Sequence, residues 1–531
     1  MSGRNPPERA DIFREIEHTP LWDMVVIGGG ATGLGTAVDA AARGYRTLLV
    51  EARDFAKGTS SKATKLVHGG VRYLAQGNLP LVREALRERG LLARNAPHVV
   101  STLGFVVPAY RWSDKPFYGA GLKLYDWLAG SLNLAGSRSL SAAETRAEVP
   151  TLVDRIEGRP LRGGTLYFDG QFDDARLAIS LMRTVFDLGG LALNYAEVKG
   201  ITTDPQGGPA WVTVEDRESG NQLPVRARCV INATGVWVDA IRAMAEPDTK
   251  PIVAPSQGVH LTLPGHFLPS RHAVLVPKTV DGRVLFMVPW HGQTIVGTTD
   301  TPRSDLPTEP RASEEEIDFI LSTAARYLDR PVTRADVKSV WAGLRPLVKA
   351  DRGAHTATLS REHTIECHPG RVITVTGGKW TTYRRMAEEV VDVAIARDML
   401  PSAPCRTYHM RLHGAAPVAV SREMQGVVAC PGYYGTDGAI VGRLPGARRE
   451  LDNASGLTEA QVRFAARAEL ARGVEDVLAR RNRALFLNAE AASRAAPEVA
   501  RILAEELGRD EAWATREAET FARYARDWQL A

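Results

Sequence analysis

The chain has 531 residues, 44% of them hydrophobic, which suits two to three domains around a large core. Its 66 basic and 62 acidic side chains nearly cancel, with no long run of one sign, which argues against a nucleic-acid-binding protein. Four cysteines, Cys229, Cys367, Cys405 and Cys430, lie far apart with no C-x-x-C spacing. No metal site or redox pair is therefore expected, and a reducing cytoplasm is the expected setting.

Residues 1–20 read as a polar arm with no apolar h-region, so no signal peptide is expected. No apolar run is long enough for a membrane-spanning helix. Val25, Val26 and Ile27 then form a short apolar strand of the buried parallel type. The Ala-rich stretch Leu34 to Arg43 predicts a helix, closed by Gly44, and Thr47 to Val50 predicts the next strand.

Between the first strand and the helix lies Gly28-x-Gly30-x-x-Gly33, the context in which a dinucleotide fingerprint has physical meaning. Gly28 permits the tight turn, Gly30 lets backbone approach a pyrophosphate, and Gly33 lets helix and strand pack closely. The helix N-terminus offers N–H groups and a positive dipole end. Gly28, Gly29, Gly30, Ala31, Thr32 and Gly33 are thus the expected cradle. Glu51 ends the second strand, placed to bind a ribose hydroxyl. The plain alternative is a tight glycine turn with no ligand. A single such unit implies one dinucleotide.

Next, "SSKATKLVHGGVRYL", Ser60 to Leu74, gathers two lysines, a histidine and an arginine around a Gly-Gly pair. The stretch Arg111 to Leu134 is rich in Trp, Tyr, Phe and Leu, with Lys115 and Lys123. It suits attachment to a membrane surface or a helix packed in a domain. "CVINATG" (Cys229–Gly235) and "RVITVTGGKWTTYRRMAEEVVDVA" (Arg371–Ala394) each run a short apolar strand into a glycine turn. They predict further strands of the first sheet, reached after long excursions. Arg283 to Asp300 has hairpin character. From about residue 405 Ala/Arg/Glu/Leu-rich helices predict a C-terminal domain, with Thr458 and Gln461 as a capping box.

The turn Ala233–Gly235 resembles a second contact segment of glutathione-reductase-like FAD proteins. Together with the Ser/Thr-rich loop after Glu51, it favours FAD over NAD. With "GGGATG", "TSSKATKLVHGGVRYL", "FDDARL", "NATGVWVD", "VGTTD", "GLRPL" and "GGKWTTYR" in this order, the chain resembles the FAD-dependent glycerol-3-phosphate dehydrogenases. The likeness runs from about residue 20 to 400 and continues more weakly through "ARRNRALFLN" (Ala479–Asn488).

That resemblance implies an α/β chain, α+β overall. A glutathione-reductase-like FAD-binding Rossmann domain (roughly 21–80, 155–245 and 335–400) would be interrupted by an antiparallel-sheet substrate domain (roughly 81–154 and 246–334). A helical domain would follow over 405–531. It implies oxidation of sn-glycerol 3-phosphate to dihydroxyacetone phosphate, with hydride passing to FAD and electrons to a membrane quinone. The setting would be peripheral, on the cytoplasmic face of the cell membrane, with a homodimer as a compatible assembly. One departure stands out: the family often has a serine pair where this chain has Ala63-Thr64. This version also resembles the soluble glycerol-phosphate oxidases, which pass electrons to oxygen. An amine or 2-hydroxyacid oxidase, and a flavin-bearing protein without turnover, are further readings.

The implied reaction needs cationic groups for a phosphate, a base for the C2 hydroxyl, and positive potential near the flavin. Arg72 and Arg345 match the substrate-contacting motifs, where a guanidinium can bind phosphate in a bidentate way. His260 is the first candidate base and His68 the second. Tyr73 follows Arg72 as a candidate substrate contact or a core aromatic. Lys379, between strand and helix, would stabilise a reduced flavin or reach the phosphate. Thr59, Ser60, Ser61, Lys65 and Leu66 would wrap the flavin, with His68, Val198 and Gly235 completing its site. Gly69 and Gly70 would allow close approach to the ring.

Overall fold

The computed structural model describes residues 6–75, 77–204, 206–277, 279, 284–349, 363–415, 432–452 and 454–530, with the side chains of Arg72 and Ala75 also outside the description. Cys430 and Arg283 lie outside the described residues.

Two large sheets organise the chain. In the first, strand Trp22–Ile27 is central. Thr47–Val50 and then Leu191–Leu193 follow in parallel on one side. On the other side lies the second half of Gln222–Asn232, which also pairs in parallel with Val372–Gly377. These strands are buried on both faces, and the run Met24 to Ile27 is at most 5% exposed, as a helix-covered parallel sheet requires. Helix Ala31–Ala42 packs on it, and Gly44 follows the helix at φ 93°. Ala196–Thr202 and Ala210–Asp216 extend the sheet as antiparallel strands.

Among the described residues the second sheet has ten strands and is mostly antiparallel. Its long pairs are Val100–Ala109 with Gly163–Phe172, and Val253–Pro264 with Ser339–Val348. The expected hairpin appears as Leu285–Trp290 with Gln293–Gly297. The expected domain ranges differ from this sheet in three places. Leu66–Val67, Gly163–Phe172 and Ser339–Val348 belong to the second sheet, where the ranges put them with the nucleotide domain. The chain therefore crosses between the sheets within motifs, and range boundaries drawn at motif edges miss it.

The polar arm also differs. Arg9–His18 is a helix whose Ile12 and Ile16 are buried in the first core, one turn apart on a single face. Arg9 pairs with Asp216 at 2.6 Å to hold it there.

In the C-terminal part, helices Glu459–Ala468, Ala489–Leu507 and Glu511–Arg526 share one apolar core with the second sheet, including Phe105, Trp341, Phe486 and Val499. The Thr458/Gln461 capping box is present. Helix Asp114–Ala129 buries Leu122, Tyr125 and Ala129 on one face and exposes Phe117 and Trp127 on the other. Among the described residues, no helix is long and apolar enough to cross a membrane.

Candidate active site

A cavity of about 540 Å³ is lined by residues of both sheets. That lies within the roughly 300–1,000 Å³ usual for cofactor and small-molecule sites.

One wall is the glycine turn. Gly28 has φ 112°, and a Cβ there would sit 2.6 Å from the Ala233 carbonyl oxygen. A Cβ on Gly33 would sit 1.9 Å from the Gly28 carbonyl oxygen. Backbone cannot yield at such distances, so the two positions exclude side chains. Gly28, Gly30, Ala31 and Thr32 line the cavity, whereas Gly29 and Gly33 shape the turn behind it. The Ala31 N–H donates to Ser60 Oγ at 2.9 Å, tying the helix start to the following loop. Glu51 accepts from the Gly29 N–H at 2.6 Å and the Arg53 N–H at 2.9 Å. Burial raises its pKa, and those two N–H groups oppose the rise. Glu51, Val198 and Gly235 all line the cavity.

The loop from Thr59 follows. Thr59, Ser60, Thr64, Leu66 and His68 line the cavity. From residue 64 onward every second side chain does so, as the short strand Leu66–Val67 dictates. Lys65 points the opposite way. Its side chain is 0% exposed, and its ammonium donates to both Asp174 oxygens at 2.8–2.9 Å. Burial, reinforced by the Arg483 guanidinium, lowers its pKa to about 7. Ser61 is also turned inward and is absent from the lining. Gly69 and Gly70 are conserving space for protein groups. A Cβ on Gly69 would meet Leu86 and Tyr125, and one on Gly70 would meet the Tyr73 ring. Tyr73 lies outside the lining, and Lys379 Nζ sits 4.1 Å from its ring centroid. Arg72 stands in helix Val71–Ala75, with its side chain outside the described residues.

The opposite wall comes from the second sheet and the turn before helix Tyr383–Ala396. His260, opposite Trp341 in the strand pair, stacks on that indole at 5.3 Å and 13°. Its Nε2 shares a 2.9 Å hydrogen bond with Thr64 Oγ1, and its buried Nδ1 has no hydrogen-bond partner among the described residues. Burial, then the Lys65 and Arg345 cations, hold His260 well below the ordinary histidine pKa, so the ring is neutral. Arg345 packs over Gly258. Its Nη1 donates to Asp300 at 3.1 Å and to the Gln257 carbonyl, and its Nη2 to Thr298 Oγ1 and the Thr299 carbonyl. Lys379 lines the cavity beside Trp380, whose Nε1 donates to the Ser60 carbonyl at 2.9 Å.

Residues 23–393 match the family described as FAD dependent oxidoreductase, and residues 405–514 match the C-terminal domain of alpha-glycerophosphate oxidase. The mitochondrial glycerol-3-phosphate dehydrogenase of Bos taurus is 38% identical over 553 residues, covering 98% of this chain and 75% of that protein. The corresponding protein of Arabidopsis thaliana is 40% identical over 521 residues, covering 91% and 82%. The crystal structure of glycerol-3-phosphate dehydrogenase from Bacillus halodurans, complexed with FAD, superposes with a TM-score of 0.79 at 30% identity, covering 99% and 98%.

The chain belongs to the FAD-dependent glycerol-3-phosphate dehydrogenase family.

The residues present fit that family's cofactor. The turn excludes side chains at Gly28 and Gly33, and Glu51 keeps lone pairs for a ribose hydroxyl. Thr64 and Trp380 also line the cavity. Thr64, part of the Ala63-Thr64 departure from the family pattern, is the hydrogen-bond partner of His260. Trp380 sits in the quoted "GGKWTTYR" motif, next to Lys379, and its indole fastens the loop.

Proposed function

We propose that this family member oxidises sn-glycerol 3-phosphate to dihydroxyacetone phosphate and passes the electrons to a membrane quinone. The observation that carries the reading is the meeting of His260, Arg345 and Lys379 on a cavity whose other wall is the dinucleotide cradle. The names of the relatives support the substrate.

Bound FAD supplies the hydride acceptor. The C2–H bond breaks with its electron pair leaving as hydride, the C2 hydroxyl proton goes to His260, and C2–O becomes a carbonyl. His260 suits the task because its ring is neutral. The neutral ring keeps one nitrogen with a free lone pair, and that nitrogen receives the proton. His68 is the rival base from the facing loop. Both terminal nitrogens of Arg345 are already hydrogen-bonded, so it offers the phosphate fixed charge rather than an open bidentate fork. Asp300 offsets part of that charge, and Lys379 is the second cation of this proposal. Arg72 is the third cation of this proposal.

Anaerobic addition of glycerol 3-phosphate to the yellow holoenzyme tests the reading: the flavin bleaches, and a flavin that stays yellow rejects it. Re-oxidation by a quinone analogue, but not readily by air, is expected. The match to an oxidase C-terminal domain keeps a second reading, an oxidase making hydrogen peroxide, and fast re-oxidation by air selects it.

Membrane attachment belongs to the same proposal. Trp112, Phe117 and Trp127 are 79%, 62% and 75% exposed around helix Asp114–Ala129. Aromatic residues of this kind favour the lipid–water interface. Holoenzyme is expected to float with anionic liposomes, and Trp112→Ser with Trp127→Ser to abolish flotation. Retained flotation rejects this face, and a wild-type dimer that the double variant loses assigns the face to a second copy instead.

A further inference from the structure

The segment Ala479–Asn488 enters the interior of the molecule. Arg480, Arg481 and Arg483 are each at most 3% exposed, and arginine is rarely buried so fully without a specific partner. Arg480 and Arg481 both pair with Asp54 and fasten the C-terminal domain to the first sheet. Arg483 does something different. Its Nη2 donates to the Ser61 carbonyl at 2.7 Å and to Asp174 Oδ1 at 3.1 Å.

Lys65 Nζ donates to the same Ser61 carbonyl, also at 2.7 Å. Asp174 Oδ2 accepts the Ala63 N–H at 3.0 Å. Three points of the loop therefore converge on one buried cluster, closed by a residue 422 positions away in sequence. One donor would satisfy a carbonyl. Two charge-assisted bonds fix its direction as well. Lys65 is also a non-glycine residue at φ 66°, a conformation that persists only where surroundings impose it. The other side of this loop presents Ser60, Thr64, Leu66 and His68 to the cavity. A second contact from the same segment reaches the candidate base. The Phe486 ring meets Trp341 edge-on at 5.0 Å, and Trp341 stacks on His260.

We propose that Arg483, seconded by Phe486, is a positioning residue, through which the C-terminal domain sets the loop Thr59–His68 and the His260 ring from behind. Neither residue lines the cavity, so each acts through others. The proposal rests on reading the cavity as the flavin and substrate site. Domain cohesion alone is served by Arg480 and Arg481, whose carboxylate partner lies outside the loop.

The test compares wild-type holoenzyme with Arg483→Met, Arg483→Lys and, as a control on the outer face, Arg449→Met. Amide hydrogen exchange is followed in peptides covering residues 59–68 and 489–507 with FAD bound. The limiting rate of anaerobic flavin reduction by glycerol 3-phosphate is measured per bound flavin. Arg483→Met is expected to speed exchange about tenfold in 59–68 and leave 489–507 as in wild type. The reduction rate falls about 10- to 100-fold, with a smaller change in KM. Arg483→Lys recovers part of both, and Arg449→Met changes neither. Should Arg483→Met fail to fold, Arg483→Lys against wild type decides by the same two readouts. Loop exchange that is unchanged, or that rises equally in 489–507, with a wild-type rate per flavin, overturns the proposal. A wild-type flavin that glycerol 3-phosphate does not bleach refutes the substrate reading, while loop exchange still decides this inference.

Discussion

The two walls of the cavity are built by opposite means. On one, Gly28, Gly30 and Ala31 present backbone, and the fit depends on the absence of side chains within a few consecutive residues. On the other, Thr64, His260, Arg345 and Lys379 present side chains brought together by the register of a ten-stranded sheet and a distant turn. On the proposed function, the backbone wall holds the cofactor and the side-chain wall acts on the substrate beside it, so damage to each is expected to have a different signature.

The largest effect belongs to the backbone wall. Gly33→Val drives a side chain into the Gly28 carbonyl, overpacking that costs about 3 kcal/mol. The purified protein is expected to lack flavin absorbance and to melt earlier, and a yellow, fully stable variant contradicts the account.

Next comes His260→Asn, which should lower the flavin reduction rate by about 10²- to 10⁴-fold while leaving FAD content at the wild-type level. Its pH dependence separates the two candidate bases. A base must be neutral to act, and burial with two neighbouring cations holds His260 well below its usual value of about 6.5. Wild-type reduction is therefore expected to stay level through neutrality and fall only in acid. The fall should vanish in His260→Asn. If it vanishes instead in His68→Ala, the assignment passes to His68.

Arg345→Leu removes fixed charge and leaves Asp300 without its cation, with Ser256 still donating to it. The KM for glycerol 3-phosphate should rise about 10- to 100-fold, with FAD binding far less disturbed. Near-normal KM excludes Arg345 from the phosphate site.

The smallest effect is that of Thr64→Val, which deletes one hydroxyl bond worth about 1 kcal/mol, or roughly a fivefold fall in reduction rate. Should this variant lose FAD rather than speed, the hydroxyl serves the cofactor and not the base.

The backbone wall was legible because its determinants are local. Strand, glycine turn, helix, strand and Glu51 follow one another within thirty residues, and each has a distinct residue signature. The side-chain wall was legible only through motifs that resemble a family, since nothing local tells His260 that it will stack on Trp341. Lys65 shows what a motif leaves open. Its neighbours Thr64, Leu66 and His68 face the cavity, and the period of two that turns Lys65 away was present in the sequence. Ile12 and Ile16 are similar, a one-turn pair on the docked face of a segment whose overall polarity masked it. The buried role of Arg480, Arg481 and Arg483 had no local signal, because arginine patterns of this kind ordinarily mark solvated helix faces.

The interleaving of the two sheets bears on how the molecule is made. The glycine turn leaves the ribosome early, but its neighbour Ala233 emerges two hundred residues later, and Lys379 and Trp380 later still. Synthesis runs at about 5–20 residues per second, so the turn waits many seconds for the rest of its cavity. During that interval Leu66–Val67 lacks its partner strand Gly163–Phe172, and Val253–Pro264 lacks Ser339–Val348. A cavity completed so late leaves sheet edges exposed before it closes, and such edges are natural points for chaperones to act.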